Sequence, residues 1–301
     1  MIYTVTCNPA IDYVMELEQF RLGETNRSVS EAIFFGGKGI NVSRVLKALS
    51  LDSVALGFCA GFTGEAIAES LAPLGIDSAF VILSAGTSRI NVKLKGIAET
   101  EINGRGPEVT EADLLRFYEI VTRLKSGDTL ILSGSIPRGL SPNIYGEILR
   151  HCSGKDIRCI VDSSGSLLEH TLCHHPFLIK PNLAELSALF GKPISDQAEI
   201  IACAKELQQR GAVNVLVSMA KDGAVLLDEF GKLHFQSAPY GTTVNSVGAG
   251  DSMVAGFLAG YLQTKDYAYA LTLGTAAGAA TAFSQDLATG DRIYAVLKQL
   301  G

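Results

Sequence analysis

The chain has 301 residues, 47% of them hydrophobic, with 25 Lys and Arg against 31 Asp and Glu and a formal net charge of −6. Such a length exceeds the usual single-domain size but leaves room for one large α/β domain with a real core, and the acidic balance argues against nucleic acid or an anionic membrane as a bulk partner. No stretch approaches the roughly 20 apolar residues needed to cross a bilayer, and six scattered cysteines without a Cys-x-x-Cys pair are ordinary for a reduced cytoplasmic enzyme.

Ile2, Tyr3 and Val5 read as a first strand. No basic region precedes it, so no signal peptide is expected. Residues 11–35 look like short strands with polar alternation. Gly36-Gly37-Lys38-Gly39 then leads into a helical pattern in which Ile40, Val45, Leu46 and Leu49 recur. A strand is expected over 53–58, and 88–103 resembles the first set of short strands. Beyond that, apolar runs at 129–132, 158–161, 177–179 and 213–217 read as strands. Helical patterns at 111–124, 182–189 and 196–209 separate them. A second Gly-rich turn opens an apolar stretch containing Met253, Val254, Ala255, Phe257 and Leu258. This β-α-β order implies an α/β fold, a mostly parallel sheet covered by helices on both faces. Ligands in such sheets bind beyond the carboxyl ends of the strands. Ser133-Gly134, Asp162-Ser163, Lys180-Pro181-Asn182 and Ser218 all follow predicted strands and should gather at one edge.

The richest segment is Asn245-Ser246-Val247-Gly248-Ala249-Gly250-Asp251-Ser252. A Gly-rich turn that opens a helix leaves backbone N–H groups unpaired at the positive end of the helix dipole, a ready site for a phosphoryl group. A carboxylate there repels phosphate. Asp251 therefore has either a separate task, taking a proton from an attacking hydroxyl, or the plain one of an N-cap. Upstream, Gly36-Gly37-Lys38-Gly39-Ile40-Asn41-Val42-Ser43 is a second such turn. It is not the common nucleotide loop, because Gly39 stands where Ser or Thr should follow the lysine. Nor does Gly248-Ala249-Gly250 complete G-x-G-x-x-G, because Met253 takes the last position. Cys173-His174-His175 lacks further ligands at metal-binding spacings.

The two turns together resemble the paired signatures of the ribokinase-like (phosphofructokinase B-type) carbohydrate kinases. Further segments fit in the family's order: Thr6-Cys7-Asn8-Pro9-Ala10-Ile11-Asp12, Thr87-Ser88-Arg89-Ile90-Asn91-Val92-Lys93, Glu99-Thr100-Glu101-Ile102-Asn103, Ser133-Gly134-Ser135-Ile136-Pro137 and Lys180-Pro181-Asn182-Leu183-Ala184-Glu185-Leu186. The resemblance spans residues 3 to about 285, and the first three of these segments look like the sugar-phosphate branch. It implies a single ribokinase-like three-layer α/β/α domain over 1–301, with 11–35 and 88–103 forming a small inserted β lid. A lid would exclude water that competes with the sugar hydroxyl. It also implies a homodimer through that lid, and a cytoplasmic enzyme.

The resemblance further implies transfer of the γ-phosphoryl of Mg·ATP to a phosphorylated ketose: fructose 1-phosphate at its 6-hydroxyl, or alternatively tagatose 6-phosphate. A catalytically silent sugar-phosphate sensor on the same fold is the other alternative. In this reading Asp251 is the general base, and Gly248, Ala249 and Gly250 form the anion hole. Asn182 and Glu185 order Mg²⁺ through water, with a capping box as the plain alternative. Asp12, Gly37 and Asn41 contact sugar hydroxyls, and Lys38 lies near the phosphates. Arg89, Lys93, Arg105 and Arg138 are candidates for gripping the substrate's own phosphate, with Arg27 a further one. The nucleotide lies along Ser218, Ala220, Lys221 and Gly223, near Lys180, Thr243, Ser246 and Gly250. Two positions depart from the family's pattern: Ala220 stands where Gly is usual, and Cys7 where Leu is common.

Overall fold

Among the described residues of the computed structural model (1–96, 98 and 100–301), nine strands form one sheet and four form another. Glu99, which belongs to one of the matching segments, lies outside them. The chain enters through β1 (Ile2–Thr6), runs out along β2 (Ala10–Glu16), returns on β3 (Ser30–Gly36) and turns at once into α1 (Lys38–Ala48). Next come β4 (Ser53–Ala60), α2 (Gly61–Glu69), β5 (Asp77–Leu83), β6 (Arg89–Lys95) and β7 (Thr100–Asn103). Strand and helix then alternate through α3 (Glu111–Val121), β8 (Thr129–Ser133), α4 (Ile144–Cys152), β9 (Arg158–Asp162) and the short α5 (Ser166–Glu169). They continue through β10 (Leu178–Ile179), α6 (Leu183–Phe190), α7 (Gln197–Gln209) and β11 (Asn214–Ser218). β12 (Ala224–Leu227) and β13 (Leu233–Gln236) precede α8 (Ala249–Thr264), α9 (Tyr267–Ala282) and α10 (Gly290–Leu297).

The large sheet has the order β13-β12-β11-β10-β9-β8-β1-β4-β5. It is parallel from β5 to β11, and β12 and β13 add antiparallel strands at one edge. The chain builds outward from β1 one way through β4 and β5, and the other way from β8 to β11. The direction therefore reverses between β1 and β8, and a crevice opens there at the carboxyl ends of the strands. Neighbouring residues point to opposite faces. Leu130, Leu132, Val161, Val215 and Val217 enter a core shared with α3, α4 and α7. Ile131, Ile160 and Leu216 enter a second core shared with α1, α8 and α9. Helices thus cover both faces, as the β-α-β order predicts.

The small sheet has the order β3-β2-β6-β7, with β2 and β6 parallel and the other pairs antiparallel. It accounts for the two polar-alternating stretches, although 17–29 is a connection rather than strand. α3 stops at Val121 rather than at 124, with Thr122 as its C-cap. The strand periodicity gives no sign of β5, β12 or β13. The last two are four residues each and break the β-α-β alternation by pairing antiparallel.

Ala220 has φ +50° in the turn after β11. This left-handed conformation costs a residue bearing a Cβ about 1–2 kcal/mol relative to glycine. Glycine's greater freedom in the unfolded chain offsets part of that. Ala220→Gly should therefore raise stability by about 0.5–1 kcal/mol, read from the denaturant midpoint at unchanged m value. A lowered midpoint would contradict the strain.

Candidate active site

Two helix N-termini converge on the crevice, and neither has a side-chain cap. α1 starts after Gly37 and α8 after Gly248, both with positive φ (131° and 79°). By contrast α3, α6, α7, α9 and α10 each have their first turn capped by a side chain: Thr110, Asn182, Asp196, Asp266 and Thr289. In α1 the Ile40 N–H is taken by Thr6 Oγ1 and in α8 the Ala249 N–H by the Ser246 carbonyl at 3.3 Å, so Lys38 and Gly39 of α1 and Gly250 of α8 offer the N–H groups for an anion. α1 lies tight against β1. Ile40 N donates to Thr6 Oγ1 at 3.0 Å. A Cβ on Gly39 would stand 2.6 Å from both Thr6 Oγ1 and the Val5 carbonyl oxygen. Only glycine admits this approach.

Asp251 occupies the third position of α8 rather than the N-cap. Its residue is only 5% exposed, and its Oδ2 accepts a hydrogen bond from Asn41 Nδ2 at 2.8 Å. Burial, reinforced by the negative charge of Asp162, pushes its carboxyl up to about 6 against the opposing pull of Lys38, Asn41 and Lys180. The N-cap alternative thus gives way to a buried carboxylate of raised proton affinity beside a crevice, an arrangement typical of acid–base sites.

Asp162 ends β9, at the sheet edge where the sequence places it without a role. Its Oδ1 lies 3.2 Å from Lys180 Nζ and its Oδ2 accepts a 3.4 Å hydrogen bond from Lys38 Nζ. Burial raises its pKa, but the two lysines outweigh burial and hold it below the usual carboxylate range. Burial works against the charged form of Lys38, yet Asp162, Asp251 and Glu185 together raise its pKa. A Cβ on Gly250 would stand 3.2 Å from Lys180 Nζ, so that ammonium rests against the first turn of α8. Asn182 and Glu185 form a reciprocal capping box: Glu185 N donates to Asn182 Oδ1 at 2.8 Å, and Asn182 N to Glu185 Oε2 at 2.9 Å. Among the described residues, no group of three or more His, Cys, Asp and Glu side chains is placed to hold a metal ion.

The small sheet supplies the other wall. Asp12 on β2 stands opposite Asn91 on β6. Asn91 Nδ2 donates to Asp12 Oδ1 at 2.7 Å, and Lys93 Nζ lies 3.1 Å from Asp12 Oδ2 and 3.7 Å from Glu101. Arg89 Nε donates to the Asn8 carbonyl at 3.1 Å. Burial lowers the Arg89 pKa, with Asp12 opposing. Asp12, Gly37, Asn41, Arg89, Asn91 and Lys93 line a cavity of about 220 Å³. Asn41 both lines this cavity and hydrogen-bonds Asp251, so it links the two parts of the site. A cavity of about 320 Å³ adjoins it between the small sheet and the Val247 and Asp286 segments, where Arg44 pairs with Asp286 at 2.6 Å.

Other candidates stay apart. Arg105 and Arg138 are exposed and line neither cavity, and Arg27 is exposed between β2 and β3. Ser218 ends β11 and bridges to Asn182. Ala220 and Lys221 are exposed in the following turn, whereas Gly223 is buried with φ 93°, where a Cβ would collide with the Gln236 carbonyl. Thr243 and Ser246 are exposed on the separate segment before α8. Asp162 and Asn91 are site residues to which the sequence assigns a place but no role. The available signals were a carboxylate directly after a predicted strand, and the shared face of alternate residues Arg89, Asn91 and Lys93.

A family model described as pfkB family carbohydrate kinase matches residues 5–292. The chain is 44% identical over 300 residues to the 1-phosphofructokinase of Bacillus subtilis (strain 168), covering 100% of this chain and 98% of that protein. It is 38% identical over 301 residues to the D-tagatose-1-phosphate kinase of Bacillus licheniformis, with coverage of 100% and 98%. Among solved structures, Escherichia coli phosphofructokinase-2 in complex with substrates and products superposes with a TM-score of 0.93 at 28% identity, covering 99% of each chain. Among the described residues, no helix is long and apolar enough to cross a membrane.

Proposed function

The chain belongs to the pfkB family of carbohydrate kinases, and on that footing we propose that it acts as a 1-phosphofructokinase. It transfers the γ-phosphoryl group of ATP to the 6-hydroxyl of D-fructose 1-phosphate and releases fructose 1,6-bisphosphate and ADP. One observation carries the reading. Asp251, buried at the start of α8, is hydrogen-bonded to Asn41, and Asn41 also lines the polar cavity under the small sheet.

In this reading the ketose lies in that cavity. Asp12, Gly37 and Asn41 hold its hydroxyls, and Arg89 and Lys93 its phosphate. Asp251 takes the proton as the 6-hydroxyl attacks. The turn that opens α8 at Gly248, Ala249 and Gly250 stabilises charge on the phosphoryl group in flight together with Lys38 and Lys180, the Ala249 N–H exchanging its long 3.3 Å bond to the Ser246 carbonyl for the phosphoryl oxygen. The nucleotide runs along Ser218, Ala220, Lys221 and Gly223 toward Thr243 and Ser246. Asn182 and Glu185 would hold Mg²⁺ through water, with Glu185 Oε1 the oxygen that the capping box leaves free for it. When bound, that ion neutralises charge on the triphosphate. The small sheet acts as a lid that keeps water from the phosphoryl group. Exposed Ile33, Ile90 and Ile102 on it suit pairing of two lids in a cytoplasmic homodimer.

The relative named for D-tagatose 1-phosphate supports a second reading. That sugar keeps the phosphate on C1 and a free 6-hydroxyl, and differs from fructose only at C4. A coupled ADP-release assay should therefore offer the 1-phosphates and 6-phosphates of both ketoses. The highest kcat/KM is expected for fructose 1-phosphate, and preference for either 6-phosphate would overturn the assignment. Arg89→Ala removes a charge-assisted contact worth about 1.5–3 kcal/mol, roughly 10- to 100-fold in affinity. The KM for the sugar phosphate should rise by at least ~10-fold, with the KM for ATP changing far less. Equal effects on both would count against the phosphate grip.

A further inference from the structure

We propose that Asp162 is a positioning residue of the transfer reaction: it pairs with Lys38 and Lys180 together and so keeps both ammoniums on the phosphoryl path and off the base. The inference rests on the kinase reading above. Five charges meet at the crevice: the ammoniums of Lys38 from α1 and Lys180 after β10, the carboxylates of Asp162 from β9 and Asp251 from α8, and, acting on Lys38 from α6, the carboxylate of Glu185. Asp162 takes both cations, one on each oxygen, at 3.4 and 3.2 Å. The side chains of Asp162 and Lys180 are 1% and 4% exposed, so water does not screen that pair, whereas Lys38, 39% exposed, reaches Asp162 from the rim of the crevice. Among the described residues, Asp251 has no ion pair, and its hydrogen-bond donor is neutral Asn41.

This division is not forced by distance. Lys180 Nζ lies against Gly250, the residue before Asp251. Lys38 feels the charge of Asp251 as well as that of Asp162. With Asp162 neutral, Asp251 is the remaining carboxylate on which both ammoniums act, Glu185 acting on Lys38 alone. A carboxylate salt-bridged to an ammonium is a weaker base. Asp162 thus keeps the base free, and its own charge further raises the proton affinity of Asp251.

The test compares Asp162→Asn, of the same shape without the charge, with Asp162→Glu, of the same charge in a larger shape. The first readout is kcat together with the pH profile of kcat/KM, with Mg·ATP and fructose 1-phosphate. Asp162→Asn should lower maximal kcat by at least ~10-fold and move the acid limb down by about one pH unit or more. The ketose KM should stay within about two-fold. Asp162→Glu should keep the limb near its wild-type position. A role in packing alone predicts the reverse order, with Asn tolerated and Glu damaging.

The second readout is the carboxyl titration of Asp251 followed by ¹³C NMR, which needs no substrate. Its midpoint should fall in Asp162→Asn and hold in Asp162→Glu. Should Asp162→Asn not fold, the titration of Asp162→Glu decides, and a fallen midpoint there overturns the proposal. Wild-type kcat and an unmoved midpoint in Asp162→Asn also overturn it. Inactivity of the wild-type enzyme on all ketose phosphates would instead defeat the kinase reading, and the titration would still decide the role of Asp162.

Discussion

Asp251→Asn should lose at least ~10²-fold in turnover while still binding ATP, and it should at the same time make the protein more stable at neutral pH. The first effect is the removal of a general base. The second follows from the cost of keeping that base. Burial and Asp162 raise the Asp251 carboxyl from 3.8 to about 6 in the folded protein. Between those values the native state holds more protons than the unfolded chain, so stability falls as pH rises through that window. Above pH 6 the buried carboxylate costs on the order of 3 kcal/mol. Asparagine keeps an oxygen for Asn41 and carries no charge, so most of that cost disappears. Calorimetry at pH 7.5 should show a higher Tm for the variant, and the gain should vanish near pH 4. In the wild-type enzyme the same group should set an acid limb of kcat/KM near pH 6. Near-normal turnover in the variant would sink the assignment of the base, and an unchanged Tm at pH 7.5 would contradict the buried charge.

Gly39→Ala should be strongly destabilising, against the ordinary rule for a helix. Within a helix, glycine to alanine usually gains about 1 kcal/mol. Here the new methyl would stand 2.6 Å from the Val5 carbonyl and from Thr6 Oγ1, the oxygen that accepts from Ile40 N. β1 lies between β8 and β4 and cannot retreat, so α1 must shift. Overpacking of this kind costs about 1–3 kcal/mol. The helix carries Lys38 and Asn41, which flank Gly39, so kcat should fall by at least ~10-fold as well. Displacements of an ångström in positioning groups cost about 10²-fold in well-ordered sites. A denaturant midpoint that rises, or falls with kcat intact, would show that α1 accommodates the methyl.

Much of the fold was legible because the physics is local. The strands at 129–132 and 158–161 are short apolar runs that the sheet buries on both faces, and the runs betray them without knowledge of their partners. The glycine turns were legible for the same reason, because close backbone approach tolerates only the smallest residue. What escaped depends on partners remote in sequence. β12 and β13 are four residues each and exist by pairing with each other and with β11. Asp162 looks like any polar residue after a strand until Lys38 and Lys180, from two other elements, converge on it. Likewise, Asp251 has an N-capping composition in sequence, and only the position of the helix start at Ala249 separates cap from base.

The attachment of the small sheet sets how it can move. β2 leaves the body three residues after β1, across Cys7, Asn8 and Pro9, and β3 returns to α1 across Gly37 alone. Of its side chains, Ile11 and Phe35 pack only at the margin of a hydrophobic cluster that includes Ile40, while the two large clusters are built from the body. The sheet is therefore a separate cooperative unit, whose backbone can open to solvent at a fraction of the free energy that melts the whole chain. Its amides belong to the population that exchanges with deuterium by local opening. Because β3 returns through a single glycine, whereas β7 returns to α3 over residues 104–110, each such opening bends the chain next to the ammonium of Lys38.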